Sequence, residues 1–245
     1  MPGPARADAD PRARAAAAAV RSGDTATLAQ LLGEHPELAG ARIVDAAGTA
    51  RTLLHVATDW PGHFPAVAAT IALLARAGAD VDARTGGDTG ETPLHWAASS
   101  DDVEAVDALL DAGAAVDAPG AVIAGGTPLS DAVAFAQWAA ARRLLERGAR
   151  PSLREAAALG LLPQVAEAWA GGRPPPAEEA TQAFWYACHG GQRDVAAWLL
   201  ARGAQRDWVS GWDGLTPLDA ARRSGAHDVV AWLESEGARS AAGSG

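Results

Sequence analysis

The sequence contains no lysine, so arginine supplies all 20 of its basic residues. Without lysine there is no side-chain amine to form a Schiff base with a carbonyl substrate, and no lysine-bearing phosphate loop. The only cysteine is Cys188, which excludes an internal disulfide and a thiolate metal cluster. These absences remove several classes of enzyme and metalloprotein before any motif is considered.

Long hydrophobic runs are also absent, although 49% of the 245 residues are hydrophobic. None approaches the roughly 18 apolar residues that a membrane-spanning helix needs, and residues 1–11 lack the apolar core of a secretion signal. The formal charge of −10 and the pI near 5.0 disfavour binding to phosphate groups. We therefore expect a cytoplasmic protein that binds neither nucleic acid nor a membrane.

What the sequence does contain is a regular series of turn and helix signals. Glycines that follow a leucine-rich turn recur with spacings of 35, 35, 55 and 34 residues, at Gly78, Gly113, Gly148, Gly203 and Gly237. In three copies a Thr-Pro-Leu triplet begins 21 residues before the glycine, at Thr92, Thr127 and Thr216. Two independent signals that keep one offset three times indicate an internal repeat.

These signals resemble the ankyrin family, whose repeat of about 33 residues begins Thr-Pro-Leu-His. The best copy runs from Gly90 to Ala98, and the resemblance extends from Arg12 to Ala238. It implies an all-α ankyrin-repeat solenoid of about seven helix-turn-helix copies with short β-hairpin-like turns. The residue types agree, because Thr92 suits a helix N-cap and Gly113 suits the left-handed turn that ends a second helix.

We predict a repeat domain over residues 12–238, between disordered tails at 1–11 and 239–245. Its copies are 12–38, 51–84, 88–118, 124–150, 151–172, 180–206 and 213–238. The array is irregular: the second copy carries an insertion around Asp59–Pro65, the hairpin after Gly148 is missing, and Gly172–Pro176 forms a stiff spacer.

The resemblance also implies which residues face a partner. In ankyrin repeats that surface comes from the hairpin tips and from the ends of the inner helices, and aromatic rings with a few polar groups there are typical of a binding site. The positions carried over, with their aromatic and polar neighbours, are Asp59, Trp60, His63, Trp96, Ser99, Asp101, Phe135, Trp138, His189 and Trp212. Alternatively, some of these rings only fill space left by irregular repeats.

Other residues are interpreted as structural. His55 and His95 occupy the Thr-Pro-Leu-His position, where the resemblance implies hydrogen bonds that tie repeats together. Cys188 is interpreted as a small, packed hydrophobic residue. Three tryptophans beside the leucine-rich turns of second helices are expected in the core, namely Trp169, Trp198 and Trp232.

The favoured function is a non-catalytic binding module that presents a concave, Trp-rich acidic groove to a protein partner. The sequence has no nucleophile elbow and no His-Glu-x-x-His motif, and we expect neither a cofactor nor a metal. The alternative is a small-molecule-binding protein or an atypical enzyme that uses the same groove. There, His63 or His189 is the general base, and a carboxylate such as Asp59 or Asp101 orients it.

Overall fold

The computed structural model describes residues 10–44, 49–86, 90–122, 125–170, 172 and 174–241. Within these residues, fourteen α-helices and one two-stranded ribbon follow one another, so the predicted all-α repeat fold is confirmed. The contacts of the chain divide into two compact units, Met1–Ala149 and Arg150–Gly245.

The first unit holds four pairs of helices, each made of an inner helix and the outer helix that follows it. The helices are α1 (Pro11–Ser22), α2 (Thr25–Glu34), α3 (Leu53–Ala57), α4 (Val67–Arg76), α5 (Pro93–Ser99), α6 (Val103–Asp111), α7 (Pro128–Ala134) and α8 (Trp138–Glu146). Inner helices α1, α3, α5 and α7 pack against one another in succession, as do the outer helices. Each pair therefore buries its apolar face against its neighbours, as in a solenoid.

The second unit repeats this arrangement three times. Its helices are α9 (Leu153–Ala158), α10 (Leu162–Ala170), α11 (Ala177–His189), α12 (Arg193–Leu200), α13 (Pro217–Arg223) and α14 (His227–Ser235). Helix α11 is longer than the other inner helices and packs against both α9 and α13. Helix α9 begins so soon after Gly148 that no hairpin precedes it, as the sequence indicates.

The turn signals of the sequence fix the helix ends. Helices α5, α7 and α13 begin with proline directly after a threonine N-cap, which forms a capping box in each case. The outer helix α6 ends two residues before Gly113, where φ is +95° and the next N–H, that of Ala114, donates to the carbonyl of Leu109 at 3.0 Å. A residue in the left-handed conformation commonly ends a helix, and glycine adopts this conformation without steric cost.

The links between helix pairs differ from expectation in one respect. Only the link between α2 and α3 forms a β-ribbon within the described residues: β1 (Arg42–Val44) pairs antiparallel with β2 (Ala50–Thr52), after a short 3-10 helix at Pro36–Gly40. The other described links are turns without strands. Among the described links, the predicted hairpin-like turns thus form strands only before α3.

The predicted tails also need correction at their inner edges. Helix α1 already begins at Pro11, and its N-cap Asp10 accepts a hydrogen bond from Arg12 N at 2.9 Å. At the other end, Arg239 N donates to Asp207 and Ala241 N to Asp219, each at 2.8 Å. The ordered part thus extends a little beyond 12–238, while residues 1–9 and 242–245 lie outside the described residues.

The outer tryptophans are not in the core, contrary to the sequence prediction. Trp169, Trp198 and Trp232 are only half-buried and pack at the margin of the core of the second unit. That core consists of smaller residues and Phe184, with the fully buried Cys188 among them, and burial raises the pKa of the Cys188 thiol well above its usual value. Trp169 and Trp198 meet edge to face, 4.9 Å apart.

We predict that Gly113→Val lowers the free energy of unfolding by about 1–3 kcal/mol, because a β-branched residue is strained at positive φ. A Cβ at Gly113 meets no atom within 4 Å, so backbone strain alone is tested. The matched control is Gly33→Ala in the exposed part of α2, where a Cβ also meets nothing. That change is expected to stabilise by about 0.5–1 kcal/mol. If urea unfolding shows that both variants change the free energy of unfolding in the same direction, this assignment of the turn is wrong.

Candidate functional site

Large hydrophobic side chains that remain exposed gather around one open cleft in the first unit. Among the described residues five such side chains are exposed, and three of them border this cleft: Trp60 (75% exposed), Val122 (71%) and Phe135 (49%). The cleft has a volume of about 230 Å³, and its other lining residues are Thr58, Asp59, Glu91, Trp96, Ser99 and Ser100. We call it the Trp60 cleft.

The Trp60 cleft lies where three successive inner helices end. Thr58, Ser100 and Phe135 are the C-caps of α3, α5 and α7, respectively. The ends of inner helices are the positions that the ankyrin resemblance assigned to a partner.

Trp60 is carried by the insertion between α3 and α4, next to a paired carboxylate. Asp59 accepts a hydrogen bond from the backbone N–H of Trp60 at 3.1 Å through one oxygen. Its other oxygen forms an ion pair with Arg51 at 2.8 Å, and both side chains are partly buried. The charge of Asp59 is therefore already neutralised within the protein.

The far end of the insertion is fixed by Asp102, which is 1% exposed. One oxygen of this carboxylate caps α6 by accepting from Ala105 N at 3.0 Å, and the other accepts from the backbone N–H of His63 at 2.6 Å. Gly62 packs so closely on the next inner helix that a Cβ would lie 2.9 Å from the Cβ of Ser100. The loop that bears Trp60 is thus anchored at both ends.

Trp96 and Glu91 form the opposite part of the cleft. The indole N–H of Trp96 donates to one carboxylate oxygen of Glu91 at 2.9 Å, and the backbone N–H of Val122 donates to the other at 3.1 Å. Within the described part of the chain, no basic side chain lies within ion-pair distance of Glu91. Glu91 is half-buried and borders the cleft, so its negative charge faces that space without a cation.

Beneath the cleft lies the fully buried ring of His55. Its Nδ1 accepts the backbone N–H of Thr52 at 3.2 Å, and its Nε2 donates to the carbonyl oxygen of Glu91 at 3.1 Å. This pair of bonds requires the neutral Nε2–H tautomer, because a carbonyl only accepts. Burial lowers the pKa of His55 to about 4, and Trp96 packs edge-on to its ring at 5.0 Å.

Half of the predicted binding residues meet in the Trp60 cleft. These are Asp59, Trp60, Trp96, Ser99 and Phe135. The sequence analysis missed Glu91 and Val122. Glu91 directly precedes Thr92, so its position in the turn before a capping threonine was an available signal; nothing in the sequence marks Val122.

The other predicted residues of the first unit lie outside the cleft. His63 is exposed and does not line it. Asp101 accepts the backbone N–H of Ala140 at 2.7 Å, and this bond links α8 to the turn between α5 and α6. Trp138, expected on the inner-helix side, is instead the half-buried first residue of the outer helix α8.

The two predicted residues of the second unit belong to an aromatic cluster there. His189, expected to face a partner, is only 3% exposed: Trp185 stacks on its ring at 5.4 Å, and Ser224 Oγ lies 2.7 Å from its Nδ1. Trp212 is 48% exposed and contacts Trp185 edge-on at 5.1 Å. Above the same Trp185 ring lies the guanidinium of Arg223, 5.7 Å from its centre.

This arrangement does not support the enzymatic alternative. His63 lies outside the cleft, the ring of His189 is buried in the other unit, and Asp101 is engaged by a backbone N–H. Across the described ranges, no three His, Cys, Asp or Glu side chains are grouped so as to hold a metal ion. No described helix is long and apolar enough to cross a membrane.

Stacked helix pairs with a cleft at the ends of their inner helices define a helical-repeat protein. Residues 66–155 match the family model for ankyrin repeats, in three copies. The matched stretch, residues 66–155, therefore carries ankyrin repeats. A search of curated proteins finds no match to the sequence. Ankyrin-repeat domains are generally non-catalytic modules that bind other proteins.

The low pKa of His55 predicts that the protein loses stability as the pH falls. The unfolded chain takes up a proton near pH 6.5 and the folded chain only near pH 4, so His55 destabilises the folded state progressively between these values. Between pH 7 and pH 5 its contribution is a loss of about 2 kcal/mol. Burial lowers the pKa of His95 as well, which adds a change of the same sign.

The measurement is chemical unfolding at pH 7 and pH 5 for the wild type, His55→Gln and the control His227→Gln, which alters an exposed histidine. We expect the difference in unfolding free energy between the two pH values to shrink by about 2 kcal/mol in His55→Gln. It should stay unchanged in the control. An unchanged difference in His55→Gln would show that the ring is not held neutral.

Proposed function

We propose that this chain is a non-catalytic module that binds a protein partner in the Trp60 cleft. The observation that carries the proposal is the convergence of Trp60, Val122 and Phe135, all exposed, on one open space. Exposed apolar side chains that cluster rather than scatter mark an interaction site. An open cleft of this kind suits a protein segment better than an enclosed small molecule.

The energetics of the cleft favour a tight contact. Tryptophan and phenylalanine bury large apolar areas, and each such side chain contributes about 1.5–3 kcal/mol when it leaves water. The loop that carries Trp60 is held at one end by the ion pair between Arg51 and Asp59 and at the other by Asp102. Because that loop is already ordered, binding loses little conformational entropy.

The proposal includes the finer features of the chain. We take the seven helix pairs of the described residues as seven ankyrin copies within a repeat region at 12–238, in a cytoplasmic protein. Capping boxes mark the start of five of the seven inner helices, namely α3, α5, α7, α9 and α13. The surface that binds the partner is rich in tryptophan and acidic, in keeping with the net charge of −10.

The test is a selection of random displayed peptides on the purified chain, followed by affinity measurement of the selected peptides. Trp60→Ala and Phe135→Ala are each expected to weaken binding about tenfold or more, because they remove exposed anchors. Their melting temperatures should stay close to that of the wild type, since neither ring is part of the core.

The matched control is Trp198→Ala in the second unit, where the indole packs against Trp169 and under the guanidinium of Arg202. This variant is expected to lose about 1–3 kcal/mol of stability and to bind the peptides normally. If Trp60→Ala and Phe135→Ala melt early and bind normally, their rings are packing residues and the proposal is wrong.

A further inference from the structure

Glu91 sets the Trp60 cleft apart from a purely apolar groove. The two carboxylates that line the cleft differ in their partners: Asp59 is paired with Arg51 at 2.8 Å, whereas Glu91, among the described residues, accepts from the Trp96 indole and from the backbone N–H of Val122 alone. Neither of these donors carries a positive charge. A carboxylate beside aromatic rings, without a cation of its own, is a site that attracts one.

The second unit shows the same combination with its cation in place. There the guanidinium of Arg223 lies over the ring of Trp185, 5.7 Å from its centre, and pairs with Asp213 at 2.7 Å. In the second unit the arginine that contacts both the indole and the carboxylate therefore comes from the chain itself. In the Trp60 cleft the Trp96 indole and the Glu91 carboxylate are present; within the described residues Arg51 pairs with Asp59, and no arginine forms an ion pair with Glu91.

We propose that the partner segment bound in the Trp60 cleft inserts an arginine side chain, which stacks on the tryptophan rings and pairs with Glu91. This inference rests on the proposed function, because it names the chemistry of the partner for the same cleft. Arginine fits better than lysine, since its planar guanidinium stacks on an indole and donates to a carboxylate at the same time. The net charge of −10 acts in the same direction.

The test uses the peptides from the random selection described above. The selected sequences are expected to share an arginine next to apolar residues. Replacing that arginine by citrulline, which keeps the shape and removes the charge, should weaken binding about tenfold. Glu91→Gln should weaken binding of the arginine peptide by a similar factor and leave binding of the citrulline peptide nearly unchanged. The control is Glu104→Gln, an exposed carboxylate of α6 that should have no effect on either peptide.

Salt dependence separates an electrostatic role of Glu91 from a structural one. The Kd of the arginine peptide should rise with ionic strength for the wild type, and less steeply for Glu91→Gln. A variant that only loosened Trp96 would bind both peptides more weakly and keep the salt dependence of the wild type, which would overturn the inference.

Two further outcomes distinguish this inference from the proposed function. The selected peptides could lack a basic residue and still need Trp60 and Phe135 for binding. That result would overturn the inference of a partner arginine and leave the proposed binding function intact. Peptides that bind Trp60→Ala and Phe135→Ala as well as the wild type, or a selection that enriches no sequence, would overturn both.

Discussion

The neutral ring of His55 joins two successive helix pairs of the first unit, and the Trp60 cleft is built on this contact. Through Nδ1 it caps its own short helix, and through Nε2 it holds the backbone of Glu91 in the next turn. The ring also supports Trp96 from below at 5.0 Å. The hydrogen bonds that stabilise the solenoid therefore also position an indole and a carboxylate at the surface. A second proton on the ring would disturb both at once.

The second unit solves the same structural problem with a different residue. Trp185 replaces the expected histidine, and its indole N–H donates to the carbonyl of Leu215 at 3.1 Å. Leu215 precedes Thr216, just as Glu91 precedes Thr92, so the two side chains make equivalent links to the next capping threonine. An indole only donates and has no nitrogen to accept the cap N–H. Trp185 lies well inside the longer helix α11, where no cap is needed.

The sequence predicted the parts of the fold that depend on local interactions. Thr92, Pro93 and Gly113 act through neighbours within a few residues, so their pattern fixes where helices begin and end. Burial depends on what packs across the repeat, and here the prediction erred. His189 aligns with a partner-facing position, yet Trp185 and Ser224 cover it. Trp138 was counted with the inner helix, although it begins the outer one.

The candidate site was predictable only in part, because it is assembled from separate turns. Glu91 and Val122 are 31 residues apart and meet through one hydrogen bond, which no local pattern encodes. Trp60 was recognised because the repeat alignment places it near the end of an inner helix, where an insertion interrupts the repeat. That interruption is held by the repeat itself: Asp102 caps α6, as a helix N-cap ordinarily does, and uses its second oxygen to fix the loop at His63. A regular capping residue thus gives an irregular loop a defined conformation, and the exposed indole occupies a fixed place before any partner arrives.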